Sequence, residues 1–288
     1  MKTDPECILC YERAALFLTR RFALPEDRAD ALCRAVLRTI ADSDFQDAPP
    51  VNAHKVYEII RKYTGEADPF RQEKDRSTAC AKELLPTLAA ELKKFSDPLE
   101  AGVRLAIAGN IIDYGVNTAF DLNTARERIA EILNGEINRN ELEIFRRALD
   151  KAQRILYITD NCGEAVFDSQ LIRFFGNRTT VAVRGKPVLN DVTRREATES
   201  GLTQASARLI DTGDDTPGID LRRTSPEFTE AFHSADLIIS KGQGNYETLC
   251  GTDRPIVWLL RAKCPVIIRK LGNVKPGSAQ ILHANFNV

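Results

Sequence analysis

Asp160 and Asn161 stand where a short apolar run, Ile155-Leu156-Tyr157-Ile158, breaks off ahead of Gly163 and Glu164. A carboxylate and an amide side by side are hard oxygen donors, the kind that hold a magnesium-like cation. Asn190 and Asp191 follow the next apolar run, Thr180 to Val183, and Lys241-Gly242-Gln243-Gly244-Asn245 follows Ile238-Ile239-Ser240. A cation on Asp160, Asn161 and Asp191 would keep positions open for a substrate oxygen and for a water of lowered pKa, which metal-assisted hydrolysis needs. Lys241 would bring a compact positive charge to a phosphate, and Gly242 and Gly244 would let backbone N–H groups approach it. Gly163 and Glu164 would open a helix whose N-terminus favours an anion.

Each feature taken alone has a plainer reading. An Asp-Asn pair after a strand serves as a turn or helix cap, and Asn190-Asp191 as the N-cap of a helix starting at Val192. Lys241 reads as a solvated lysine before a turn, and Glu247 as an acid favoured by the first turn of a helix. Asn110 and Asp113, spaced i and i+3 in an apolar helical stretch, share one face and form either a buried polar network or a site wall. The agreement of three strand-end loops is what favours the cation.

Those loops converge only if their strands are parallel. From Ala152 onward short β-branched runs alternate with amphipathic helices, the pattern of repeated βαβ units and a mainly parallel sheet. Before residue 150 apolar residues recur at helical spacing, as in Ala31, Leu32, Val36, Leu37 and Ile40, or Leu84, Leu85, Leu88 and Leu92. Pro25, Pro49-Pro50, Gly65 to Pro69 and Ser96-Asp97-Pro98 punctuate the helices. The expected architecture is α/β: a helical region over 1–150, contributing a pocket wall, packed on a Rossmann-like three-layer α/β domain over 151–288.

Composition narrows the class. The chain has 288 residues, 43% of them hydrophobic, and a formal net charge of −1, enough for a sizeable core and without the basic stripe of a nucleic-acid binder. No apolar stretch has the length of a membrane span, and Met-Lys-Thr-Asp-Pro-Glu lacks a secretion signal's apolar core, so a cytoplasmic protein is expected. Seven cysteines without regular spacing fit reduced thiols. Cys7 and Cys10 could begin a zinc site only if the fold gathered further ligands such as Cys33, Cys80 or His54, and packing thiols on an amphipathic helix are the simpler account. Cys162 lines the proposed site, with none of the three histidines near it in sequence to act as its base.

Asp160-Asn161-x-Gly163-Glu164, Asn190-Asp191 and Lys241-Gly242-x-Gly244-Asn245-x-Glu247, with Gly109-Asn110-x-x-Asp113 upstream, together resemble the metal-dependent damage-control phosphatases, or domain of unknown function 89. The likeness runs through nearly the whole chain. It includes the Cys7-x-x-Cys10 opening of the family's stand-alone prokaryotic branch, Asp68-Pro69-Phe70 followed by Lys74, and the loop from Thr212-Gly213 to Pro217-Gly218. The resemblance implies one divalent cation (magnesium, manganese, cobalt or nickel) on Asp160, Asn161 and Asp191, and hydrolysis of a small phosphorylated metabolite such as a sugar phosphate. It further implies Lys241 on the phosphate, with Asn110, Asp113, Asn245 and Glu247 completing the pocket. Metal-bound water and Asp160 itself both remain candidate nucleophiles. Two rival readings are an S-adenosylmethionine-dependent carboxyl methyltransferase, which lacks its glycine-rich loop here, and a metabolite or metal sensor without turnover.

Overall fold

The computed structural model describes residues 1–112 and 122–286. Six strands form one sheet: β1 (Ile155–Ile158), β2 (Thr179–Val183), β3 (Arg208–Asp211), β4 (Leu237–Lys241), β5 (Ile256–Arg261) and β6 (Ala279–Ala284), in the order β3-β2-β1-β4-β5-β6. The first five run parallel and β6 closes the edge antiparallel to β5. The α/β expectation holds; β6 is an element the apolar pattern does not announce.

Alternation along the strands sends side chains to two covered faces. Ile155, Tyr157, Val181, Leu237, Ile239, Val257 and Leu259 share one core with Leu99, Val103, Ile107, Leu142, Phe145 and Leu149 from the helices Pro98–Ala108 and Arg139–Lys151. Leu156, Ile158, Ile210, Ile238, Ile256 and Trp258 face Phe228, Phe232, Tyr246, Leu249 and Ile267 on the other side. The helices Cys7–Arg21, Glu26–Ala41 and Pro49–Thr64 form a separate core through Leu18, Leu32, Val36 and Ile60, against which Val188 packs. Local signals fix several starts: Asp97 accepts from the Leu99 N–H ahead of Pro98, and Thr193 with Glu196 forms a capping box. No helix among the described residues is long and apolar enough to cross a membrane.

Phe145 is fully buried and meets Phe175 edge-on at 6.4 Å, tying the helix Arg139–Lys151 to the sheet. Phe145→Ala is expected to lower unfolding free energy by about 3–5 kcal/mol in a urea titration, as for other large core truncations.

Candidate active site

In this strand order the chain turns to β2 on one side of β1 and to β4 on the other, so a crevice opens at the carboxyl ends of β1 and β4. Asp160 and Asn161 leave β1 there. The Val192 N–H donates to the Asp160 carbonyl at 2.9 Å, the Cys162 N–H to the Asn190 carbonyl at 2.9 Å, and Asn161 and Asp191 form an antiparallel bridge. The two loops expected to share a cation are therefore one piece of hydrogen-bonded backbone. Leu189, just before them, takes a left-handed φ of 45°, the kind of local strain that a surrounding site enforces.

Side chains lock the strand ends further. Arg184, buried past the end of β2, donates Nε to Asp191 Oδ2 at 2.6 Å and Nη2 to Asn245 Oδ1 at 2.8 Å. Asn245 Nδ2 in turn donates to the carbonyls of Thr159 and Lys241, at 3.0 and 2.8 Å. All of Asn245's polar atoms thus stitch β1, β2 and β4 together. Gly242, at φ 79°, is where Asp160 rests: a Cβ there would sit 2.0 Å from Asp160 Oδ2. Gly244 lies equally close to its neighbour, with a Cβ position 2.4 Å from the Pro217 carbonyl oxygen.

A cleft of about 360 Å³ lies over this frame. Asp160, Asn161, Asn190, Asp191, Asn110, Gly244 and Glu247 line it. Lys241, Gly242, Asn245, Gly163 and Glu164 do not; Asp113 lies outside the described residues. Lys241, expected on the phosphate, is fully buried beneath the cleft and donates Nζ to the Ala106 carbonyl (2.9 Å), to Asp168 Oδ1 (2.7 Å) and to Glu164 Oε1. Its three N–H donors have protein partners. Burial alone would depress the ammonium, but Asp168 and Glu164 outweigh it and raise its pKa.

The cleft also holds residues that the spacing argument missed. Arg261 and Lys263 leave the end of β5, and Lys263 Nζ donates to the Asn110 carbonyl at 3.1 Å. Burial pulls the Arg261 guanidinium below the usual arginine range, and no ion pair satisfies it among the described residues. A basic pair directly after the last parallel apolar run was the available signal. Cys7, Cys10, Tyr11, Pro49 and Pro50 line the cleft from the helices Cys7–Arg21 and Pro49–Thr64, and Cys264 from beside Lys263. Burial and the neighbouring Glu247 and Cys264 push the Cys7 thiol up to about 11. Cys264, not Cys33, Cys80 or His54, is the third cysteine at the cleft.

The donor chemistry around Asp160 fits a divalent cation. Burial, then Asp191 and Glu164, push the Asp160 carboxyl well above the usual range despite Arg184 and Lys241, so the local charge calls for a further positive group. Asn161 gives Nδ2 to Asp160 Oδ2 (2.8 Å) and Glu164 Oε2 (3.4 Å), while its Oδ1 accepts nothing among the described residues. A second possible divalent-metal cluster is His54, Asp214 and Asp215, buried with ligand atoms within 4.8 Å of one another. There Arg61 already pairs with Asp215 and Arg223 with Asp214. Against burial, His54 and Arg61 hold the Asp215 carboxyl down to about 2.

A doubly wound sheet with an acidic, amide-rich crevice at its switch point defines an α/β protein with its candidate site at the strand ends. The damage-control phosphatase ARMT1-like domain matches residues 3–277, and the chain belongs to that family. It is 32% identical over 277 residues to a damage-control phosphatase of Pyrococcus horikoshii, covering 94% of each chain. It is 29% identical over 287 residues to a damage-control phosphatase of Archaeoglobus fulgidus, covering 94% of this chain and 96% of that one. The crystal structure of a DUF89 family protein from Pyrococcus horikoshii superimposes with a TM-score of 0.86 at 31% identity, over 97% of this chain and 98% of that chain.

Glu247 gives the cleft a pH signature. Burial pushes its carboxyl up to about 7, against the smaller pull of Gln243, the N-terminal amine and Lys270. An acid raised on folding favours the folded state below its unfolded pKa, and that contribution disappears as pH rises through the folded value. Glu247→Gln should therefore stabilise the protein by about 1–3 kcal/mol at about pH 8.5 and hardly at all at about pH 4.5, measured by denaturant titration at both.

Proposed function

We propose that this protein hydrolyses small phosphate monoesters, sugar phosphates or damaged phosphometabolites, using one divalent cation held by Asp160, Asn161 and Asp191. The observation that carries the reading is the backbone bridge that joins the two acid-bearing loops in a cleft also lined by Arg261 and Lys263, in a chain of the damage-control phosphatase family. When bound, the cation supplies charge neutralisation at the phosphoryl oxygens and a water of lowered pKa.

The protein's own groups divide the remaining work. Asp160, Asp191 and the carbonyl of Asn161 supply the negative and dipolar side of the site. Arg261 and Lys263 line the same cleft, Lys263 on the Asn110 carbonyl, and would offset the charge that spreads over the transferring group. Their position, above the closed ion network of Lys241, makes them the phosphate contacts in this proposal. Arg184 fixes Asp191, and Asn245 holds Arg184 and two strand ends in register. Cys7, Cys10, Tyr11 and Pro50, from helices outside the sheet, border the space left for the rest of the substrate.

Phosphate release from a panel of sugar phosphates and an aryl phosphate should appear with magnesium, manganese, cobalt or nickel and cease with chelator. Asp160→Ala should lower kcat by about a hundredfold or more, whereas Asp215→Ala should leave the metal dependence unchanged. If Asp215→Ala abolishes metal dependence and Asp160→Ala does not, the cation belongs to the His54 cluster. Lys263→Ala should raise KM about tenfold with kcat little changed, the loss of one phosphate contact of ~1.4 kcal/mol. Ligand-induced stabilisation without turnover for any ester in the panel would instead mark a sensor.

A further inference from the structure

Glu164 and Asp168, one turn apart in the helix Cys162–Ile172, are both fully buried under the cleft. Lys241 occupies Glu164 Oε1, and Asp168 and the Ala106 carbonyl take its other two donors. That leaves Glu164 Oε2, an acceptor only, pointing up at two cleft amides: Asn110 Nδ2 donates to it at 3.1 Å and Asn161 Nδ2 at 3.4 Å. An amide that spends its NH₂ below must turn its carbonyl the other way. Neither Asn110 Oδ1 nor Asn161 Oδ1 accepts a hydrogen bond among the described residues, and both side chains line the cleft.

We infer that Glu164, clamped by Lys241, is a positioning residue that sets the direction of both amides, so that both side chains present their carbonyl oxygens to the cleft. This rests on the reading of Asn161 as a cation ligand. The two amide oxygens then accept a cation and hydroxyl donors and turn away phosphate oxygens, which leaves the phosphate to the basic groups of the cleft, Arg261 and Lys263. Lys241 acts through Glu164 and does not touch the ligand.

The inference has a chemical inversion as its test. In Glu164→Gln the one carbonyl oxygen must face Lys241, because an NH₂ there would oppose the ammonium, and the Gln NH₂ then meets the NH₂ groups of Asn110 and Asn161. Manganese affinity, read by calorimetry, should fall about 10- to 100-fold although no cation ligand has been changed, the usual scale for losing a partner of a metal ligand. Adding Asn161→Asp supplies an acceptor to the Gln NH₂ and keeps an oxygen toward the cleft, so the double variant should recover about tenfold. Asp168→Asn removes an equal charge from the same network without touching the amides and should cost less than about threefold. The inference is overturned if Glu164→Gln binds manganese like the parent, if Asp168→Asn falls as far, or if the double variant is no better than Glu164→Gln. Should Glu164→Gln not fold, a double variant of higher Tm than that single change supports the inference, and one of equal or lower Tm overturns it. A parent protein that binds no manganese, or binds it unaltered in Asp160→Ala, refutes instead the cation assignment on which the inference stands.

Discussion

Three carboxylates, Asp160, Asp191 and Glu164, crowd one buried corner of the sheet, and their mutual repulsion is the constraint around which the rest is arranged. Two unit charges at 4 Å interact by about 4 kcal/mol at an intermediate dielectric, so such a corner survives only with cations built in. Arg184 answers Asp191 and Lys241 answers Glu164, each from the end of a different strand. Among the described residues the Asp160 carboxylate has an amide, that of Asn161, for its hydrogen-bond partner. In the proposed function this corner, open to the cleft, is where the cation would bind.

Holding that arrangement takes backbone as well as charge. Beyond the parallel β1–β2 pairing an antiparallel bridge ties Asn161 to Asp191, and Asn245 links the ends of β1 and β4. Gly242 is part of this tightness, since any side chain would occupy the volume of the Asp160 carboxylate. The crevice is therefore stiff on its sheet side, as ligands for a small cation must be.

How much of this the sequence disclosed depended on whether the signal was local. The five parallel strands were legible because each is a compact apolar run ending in polar residues, and β6 was not, because as an antiparallel edge strand it is half exposed and mixes Gln280 and His283 with Ile281 and Leu282. The loops of Asp160 and Asp191 could be named from strand ends alone. Lys241 could be placed at a strand end but not given a direction, and the pleat decides that: β4 continues to 241, so Lys241 points with Leu237 and Ile239 into the helix-covered core. A cue was present in Glu164 and Asp168, two acids one turn apart in a mainly apolar helix, which require a buried cation. Arg261, Lys263 and Cys264 join the cleft by tertiary contact, and short-range spacing carries little of that.

The placement of these residues separates two tasks that the sequence runs together. The acidic residues Asp160 and Asp191 and the basic residues Arg184, Lys241, Arg261 and Lys263 come from the ends of β1, β2, β4 and β5, on the sheet. The helical lining, Cys7, Cys10, Tyr11 and Pro50, comes from helices with a hydrophobic core of their own, joined to the sheet-borne loops by packing such as Val188 against that core. Changes in those helices can reshape the substrate's far end without disturbing the carboxylate corner, because they share no hydrogen bond with Asp160, Asn161 or Arg184 among the described residues. In the proposed function, selectivity among phosphate esters would therefore fall to the helical lining and the hydrolytic chemistry to the sheet.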